Sequence, residues 1–182
     1  MNGKIALEEH FAIAETLQDS AGFVPGDYWK ELSARILDIH DRRLREMDAH
    51  GIEMMLLSLN APAVQAIPDI RKASEMARRA NDYLAAEVVK RPDRFQGFAS
   101  LPMQDPEQAA RELTRCITEL GFKGALVNGF SQAGDGSEVQ RTRPSEDRPP
   151  QLGAVVRSES KAVATIGPAE SGASLTTRAF SE

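Results

Sequence analysis

Most of the side chains able to build a core lie in the first 130 of the 182 residues. All three histidines, Cys116, all six methionines and nine of the ten aromatics fall there, leaving Phe180 as the one aromatic beyond. Residues 131–182 carry 15 apolar side chains in 52 positions and are rich in Ser, Gly, Pro, Glu and Arg, as in Ser-Glu-Asp-Arg-Pro-Pro at 145–150. A stretch of that composition buries too little apolar surface to offset the entropy of ordering it. The sequence therefore predicts one folded unit over about 1–136 and a low-complexity, disordered tail over 137–182. Within the tail, only 153–156 and 162–166 are apolar enough to suggest short isolated strands.

Inside the folded part the apolar pattern switches repeatedly between two periods. Residues 4–7 read as a short buried strand. After a loop punctuated by Gly22, Pro25 and Gly26, Asp27 is placed to cap a helix. Leu32, Ile36, Ile39, Leu44 and Met47 recur along one face of that helix, and Gly51 supplies the left-handed residue that ends it. Residues 52–59 are almost continuously apolar, as in a strand covered on both faces. A second helix is predicted from about Asp69 to Lys90, a strand over 95–101, and a third helix capped by Asp105 with Pro106 in its first turn. The apolar face of that helix is Ala109, Leu113, Cys116, Ile117 and Leu120, and Gly121 stops it. A fourth strand spans 123–127. The order β-α-β-α-β-α-β implies parallel strands with right-handed crossovers. The predicted fold class is α/β, either a small doubly wound sheet or the N-terminal half of a (β/α)8 barrel, with about four strands and three helices. A whole barrel typically needs about 250 residues, so a barrel reading leaves this chain near its middle.

Charge and cysteine content narrow the function classes. A net charge of −5 argues against a nucleic-acid partner, which selects for basic patches. No apolar run approaches the roughly 20 residues of a membrane helix, and the first ten residues lack the pattern of a signal peptide. One cysteine permits no intrachain disulfide and fits a reducing, cytoplasmic setting.

Glu8 and His10 follow the first strand. In extended chain, positions two apart share a face, so a carboxylate and an imidazole can converge on one divalent ion such as zinc or manganese. That position, the C-terminal end of a strand, is where barrels place their active sites. Solvation alone also accounts for the pair. Asn128 and Asn60 end strands on the same side, although Asn128-Gly129 is equally a turn signal. Phe23, in the first loop, could wall an aromatic pocket or anchor the loop. His40 reads as a surface residue, His50 as a cation at a helix C-terminus, and Cys116 as core. The run Lys90-Arg91-Pro92-Asp93-Arg94 reads as a solvated connection.

Four stretches carry a resemblance: Lys4-Ile5-Ala6-Leu7-Glu8-Glu9-His10-Phe11, then Leu17 through Gly26, Leu57-Ser58-Leu59-Asn60-Ala61-Pro62-Ala63-Val64-Gln65, and Gly124-Ala125-Leu126-Val127-Asn128-Gly129-Phe130. Over about residues 1–136 the chain resembles the metal-dependent aromatic acid decarboxylases of the amidohydrolase superfamily, most closely the branch acting on 2,6-dihydroxybenzoate. The resemblance implies a (β/α)8 TIM barrel holding one divalent metal, zinc or manganese, with Glu8 and His10 as two of its ligands. It further implies a small aromatic acid substrate, Phe23 and Asn128 as substrate-binding residues, non-oxidative loss of carbon dioxide with no organic cofactor, and a homo-oligomer, often a tetramer. The resemblance also implies a further histidine and an aspartate from later strands to complete the metal shell, the aspartate protonating the ring.

Neither has a counterpart here. No histidine follows His50, and no acidic residue of the tail follows a convincing strand. Two protein ligands hold a metal poorly, since catalytic zinc sites generally use three, so metal retention and activity of this chain alone are not expected. The change of composition near residue 136 suggests a tail translated out of frame. Three other readings stand beside the decarboxylase: an inactive remnant, a superfamily hydrolase, and a self-sufficient flavodoxin-like module. Glu8, where hydrolases more often carry histidine, disfavours the hydrolase. The lack of a phosphate loop disfavours the module.

Overall fold

The computed structural model describes residues 3–128 and the backbone of 131–132, 139–140, 156–157 and 161–164; side chains beyond residue 128, and that of Phe23, lie outside the described residues. Four parallel strands form the body of one sheet in the order β1 (Lys4–Phe11), β2 (Ile52–Leu59), β3 (Phe95–Ala99) and β4 (Gly124–Asn128). Helices α1 (Gly26–Leu37), α2 (Arg42–His50), α3 (Ile70–Lys90) and α4 (Pro106–Thr118) fill the crossovers. This is the N-terminal half of a β/α barrel, the second of the two architectures that the alternation allowed. Two-residue strands β5 (Ser131–Gln132) and β6 (Val139–Gln140) form a separate ladder. Strands β7 (Val156–Arg157) and β8 (Lys161–Ala164) continue the main sheet, with β8 antiparallel to β4. They overlap the two apolar pieces of the tail; most of the predicted disordered stretch lies outside the described residues.

The core lies between the sheet and its helices. Met55, Leu57 and Leu59 alternate inward from β2 and join Phe11, Phe95, Ala125 and Val127 from the neighbouring strands. From α3 come Ala73, Ala77, Ala80, Leu84 and Val88, at helical spacings of three and four. Three alanines in that row keep the helix close to the strands. At Gly97 the approach is closer still: a Cβ there would sit 2.7 Å from the Phe122 ring and 3.0 Å from Leu84. The cap predicted at Asp105 is observed, accepting from the amides of Glu107 and Gln108; Asp69 also caps α3, accepting from the Lys72 amide.

The helix predicted between Asp27 and Gly51 is two helices. Asp38 is extended (φ −86°, ψ 121°). Its carboxylate accepts from the amides of Asp41 at 3.2 Å and Arg43 at 2.8 Å, so it caps α2 from outside. A side chain that offers the backbone such an alternative ends a helix. The break also turns Ile39 into the core, where it is buried. Asp27 is not the cap of α1: Pro25 holds that position, and Asp27 lies in the first turn, where its charge suits the helix dipole. Gly51 ends α2 in the left-handed conformation (φ 67°) as predicted.

Candidate active site

The C-terminal ends of β1–β4 form one rim, and polar side chains organise it. On β1 the register slips between Ala6 and Glu9. Ala6 pairs with Met55 and Glu9 with Leu57, so Leu7 and Glu8 stand opposite the single Leu56. This bulge resets the alternation. Beyond it, Phe11 enters the core while His10 pairs with Ser58 on the other face. Glu8 is exposed and His10 half-buried.

His10 is held at two points. Its ring Nδ1 lies 3.0 Å from Ser58 Oγ. Its carbonyl accepts from Arg43 Nη2 at 2.7 Å. Arg43 also donates to the carbonyls of Asp38 and Arg35. Burial pushes its guanidinium below its usual value, against the charges of Glu9, Asp38 and Glu46; an arginine nonetheless stays charged. A cavity of about 260 Å³ opens beside these groups, with Glu8, His10, Arg35, Arg43 and Met55 among its walls.

Along the rest of the rim, side-chain amides pin the backbone. Asn60 donates from Nδ2 to the Thr16 carbonyl and to Ser20 Oγ, both at 2.8 Å, and accepts from Thr16 Oγ1 at 2.8 Å. It therefore fastens the first loop rather than facing a ligand. Gln65 clasps the end of β4: its Oε1 accepts from the Asn128 amide at 2.7 Å and its Nε2 donates to the Asn128 carbonyl at 3.1 Å. Gln104 donates to the carbonyls of Val64 and Ile67. Asn81 brackets Ser100, accepting from its amide and donating to its carbonyl. A small cavity of about 20 Å³ lies among Ser58, Asn60, Gln65, Ser100 and Asn128.

The predicted site residues are thus divided. Glu8 and His10 share the larger cavity, Asn128 lies at the smaller, and Ser58 joins the two by touching His10 and lining the second. Phe23 ends a 3-10 turn (Leu17–Phe23), and its side chain is outside the described residues. His40 corrects its prediction as a surface residue. Its Nε2 lies 2.8 Å from Glu87 and its ring meets Phe95 edge-on, because the α1–α2 break carries it against α3. Cys116 is fully buried core, as read from its helix face; burial raises its thiol beyond the ordinary range. Sequence reasoning missed Ser58, Gln65, Gln104 and Arg43. Only Ser58 carried a signal, as a hydroxyl inside an otherwise apolar run.

Donor chemistry decides what metal these residues can hold. One carboxylate and one imidazole at the end of a strand suit a divalent ion of zinc or manganese type. Among the described residues, no group of three or more His, Cys, Asp or Glu forms a complete shell. Glu8 and His10 offer one donor of each kind. Among the described residues, no helix is long and apolar enough to cross a membrane.

A half-barrel of four parallel strands narrows the class, and comparison with known proteins gives it. The amidohydrolase family model matches residues 13–149, and the chain belongs to that family. Its relatives are more specific. A gamma-resorcylate decarboxylase of Rhizobium sp. strain MTP-10005 is 76% identical over 136 residues, covering 75% of this chain and 42% of that protein. A crystal structure of a 2,6-dihydroxybenzoate decarboxylase with 2,6-dihydroxybenzoate superposes with a TM-score of 0.75 at 74% identity, over 76% of this chain and 43% of that one. A dihydroxybenzoic acid decarboxylase from Polaromonas sp. JS666, with bound manganese and the inhibitor 2-nitroresorcinol, gives 0.74 at 70% identity, over 76% of this chain and 42% of that one. The chain thus spans about two fifths of the length of these relatives.

Proposed function

We propose that this chain carries the N-terminal part of the active site of a metal-dependent, non-oxidative decarboxylase whose substrate is a hydroxybenzoate of the 2,6-dihydroxybenzoate kind. The observation that carries the proposal is Glu8-x-His10 at the C-terminal end of β1, on a half-barrel that shares three quarters of its residues with gamma-resorcylate decarboxylase. Glu8 and His10 would hold the ion, zinc or manganese, which when bound supplies Lewis acidity for an oxyanionic substrate. Asn128, its backbone clasped by Gln65, would offer its amide to a substrate oxygen, and Phe23 would wall the aromatic ring. Loss of carbon dioxide from such a ring requires a proton at the carbon that carried the carboxylate. No aspartate ends any of β1–β4 to deliver it. The 182 residues alone are therefore proposed not to turn over, and assembly as a homo-oligomer, a tetramer in the resemblance, belongs to the same reading, as does a cytoplasmic setting.

The composition break supports a second reading, a non-catalytic remnant with an out-of-frame tail. Sequencing the coding DNA tests it, since a single-base change should restore a family-like second half. For the first reading, the chain is incubated with 2,6-dihydroxybenzoate and Zn2+ or Mn2+, and resorcinol is followed. The expected result is no turnover alone, with turnover appearing once residues after 136 are replaced by the corresponding second half of the Rhizobium relative. That activity should be lost on Glu8→Ala or His10→Ala. A full-length fusion whose turnover ignores both substitutions sinks the proposal.

A further inference from the structure

We propose that two copies of this chain pair antiparallel through the outer edges of their β1 strands, with Ala6 facing Ala6 of the partner subunit. The proposal rests on the sheet and is independent of the metal reading above. β1 borders the sheet: β2 flanks it on one side, and among the described residues no strand flanks the other. Such an edge offers main-chain groups to an added strand. Its C-terminal end is already closed. The Phe11 carbonyl turns toward β2 and accepts from the Asn60 amide at 2.8 Å. Main-chain groups alternate between the two edges of a strand, so the His10 carbonyl and the Ala12 amide turn outward. Arg43 of α2 donates to the first at 2.7 Å, and the second donates to the Ile36 carbonyl of α1 at 2.9 Å. The stretch left open is Lys4–Glu8, where Ile5 is 58% and Leu7 48% exposed.

That stretch is complementary to itself. Centred on Ala6, an antiparallel pair sets Lys4 opposite Glu8 of the partner subunit and Ile5 opposite Leu7 of the partner subunit, and the two-fold axis repeats both pairs. Opposite charges and apolar side chains facing one another across strands each stabilise the pairing. Neighbouring centres lose this match. Centring on Leu7 sets Ile5 against Glu9 and runs Lys4 into the closed end at His10; centring on Ile5 sets Leu7 against Gly3 and Lys4 against Ala6. The Lys4 ammonium donates to the His50 carbonyl at 2.8 Å, which leaves two of its three protons for a carboxylate. The self-match selects a second copy of this chain over an unrelated strand. The open stretch is short and carries the bulge at Leu7 and Glu8, so the contact is small and the dimer should dissociate on dilution.

The test is disulfide trapping with diamide on the 182-residue chain, alongside sedimentation equilibrium over a concentration series. The native thiol, Cys116, is fully buried. Residues directly opposed in an antiparallel pair have Cα atoms about 4.5–5.5 Å apart, within disulfide reach. Ala6→Cys should cross-link to itself. Lys4→Cys and Glu8→Cys should cross-link when mixed and not alone, because like positions are offset by about 13 Å along the strands. In the cysteine-free background of the native β1, Lys4→Glu should weaken dimerisation about 2–30-fold, and adding Glu8→Lys should restore it. If Ala6→Cys fails to fold, the mixed pair at exposed positions decides. A monomeric wild-type chain overturns the proposal. So does an oligomer whose β1 cysteines stay reduced, which is joined through another surface, and so does cross-linking of Lys4→Cys alone as readily as with Glu8→Cys, which is non-specific edge association.

Discussion

The helix-covered face of the sheet and the rim at its C-terminal end are held together by different chemistry. On the covered face Leu57, Leu84 and Phe95 are fully buried among other apolar side chains, and their contribution is non-directional. At the rim, Asn60, Gln65, Asn81 and Gln104 each reach across the fold to backbone groups of another segment. Those bonds are directional and individually modest, about 0.5–1.5 kcal/mol net. The core decides whether the half-barrel exists, and the rim decides where its loops stand. Damage to one should leave a different trace from damage to the other.

The largest effect expected is Leu84→Ala. It leaves a cavity between α3 and β3, against Phe122 and the Gly97 backbone, and should cost about 2–5 kcal/mol, read from urea unfolding. Amide-exchange protection should fall throughout the sheet. Gln65→Ala should cost about 1–3 kcal/mol, because the Asn128 amide loses its acceptor. Its signature is local: faster exchange at Asn128, with protection of β2 and β3 little changed. Uniform loss of protection in Gln65→Ala would erase the distinction between the two regions.

The smallest effect concerns pH, at a place where core and rim meet. Glu112 is buried between α3 and α4. Burial pushes its carboxyl up, but hydrogen bonds from Arg115 and Asn81 more than offset this, leaving it below the usual carboxylate value. A depressed carboxylate stabilises the fold above its unfolded-state value, and that stability is lost as pH falls through the folded value. Thermal midpoints should therefore drop as acid is added below the ordinary carboxylate range. Glu112→Gln should flatten that limb while leaving the neutral-pH slope alone. An acid limb identical in Glu112→Gln assigns it to other carboxylates.

Much of the half-barrel was legible in the sequence, because strands and helices announce themselves by period and caps by residue type. Asp105 and Gly51 fell where local chemistry put them. The α1–α2 break was not legible. Ile36 and Ile39 are three apart, a spacing a continuous helix shares, and the Asp38 carboxylate reveals itself as a cap only once α2 has turned back toward it. The candidate site divides the same way. Glu8 and His10 are two positions apart, so local spacing alone singles them out as candidates. Ser58 reaches His10 across 48 residues and Gln65 reaches Asn128 across 63, so their roles depend on register and closure rather than local pattern.

The bulge at Leu7 and Glu8 undoes an earlier shift between Lys4 and Ile5, so that Ile5 and Ala6 alone run out of phase with the rest of β1. Ahead of it, Ile5 and Ala6 take their facing from Met54 and Met55; after it, Glu9, His10 and Phe11 take theirs from Leu57, Ser58 and Leu59. In a regular strand, gaining or losing one residue flips every side chain that follows. Here the strand already contains a place where the count is allowed to slip. A one-residue change near the start of the chain can be taken up as slack at Leu7, leaving His10 opposite Ser58. On that reading the aim of the imidazole answers to its pairing with β2 and not to the count of residues ahead of the bulge.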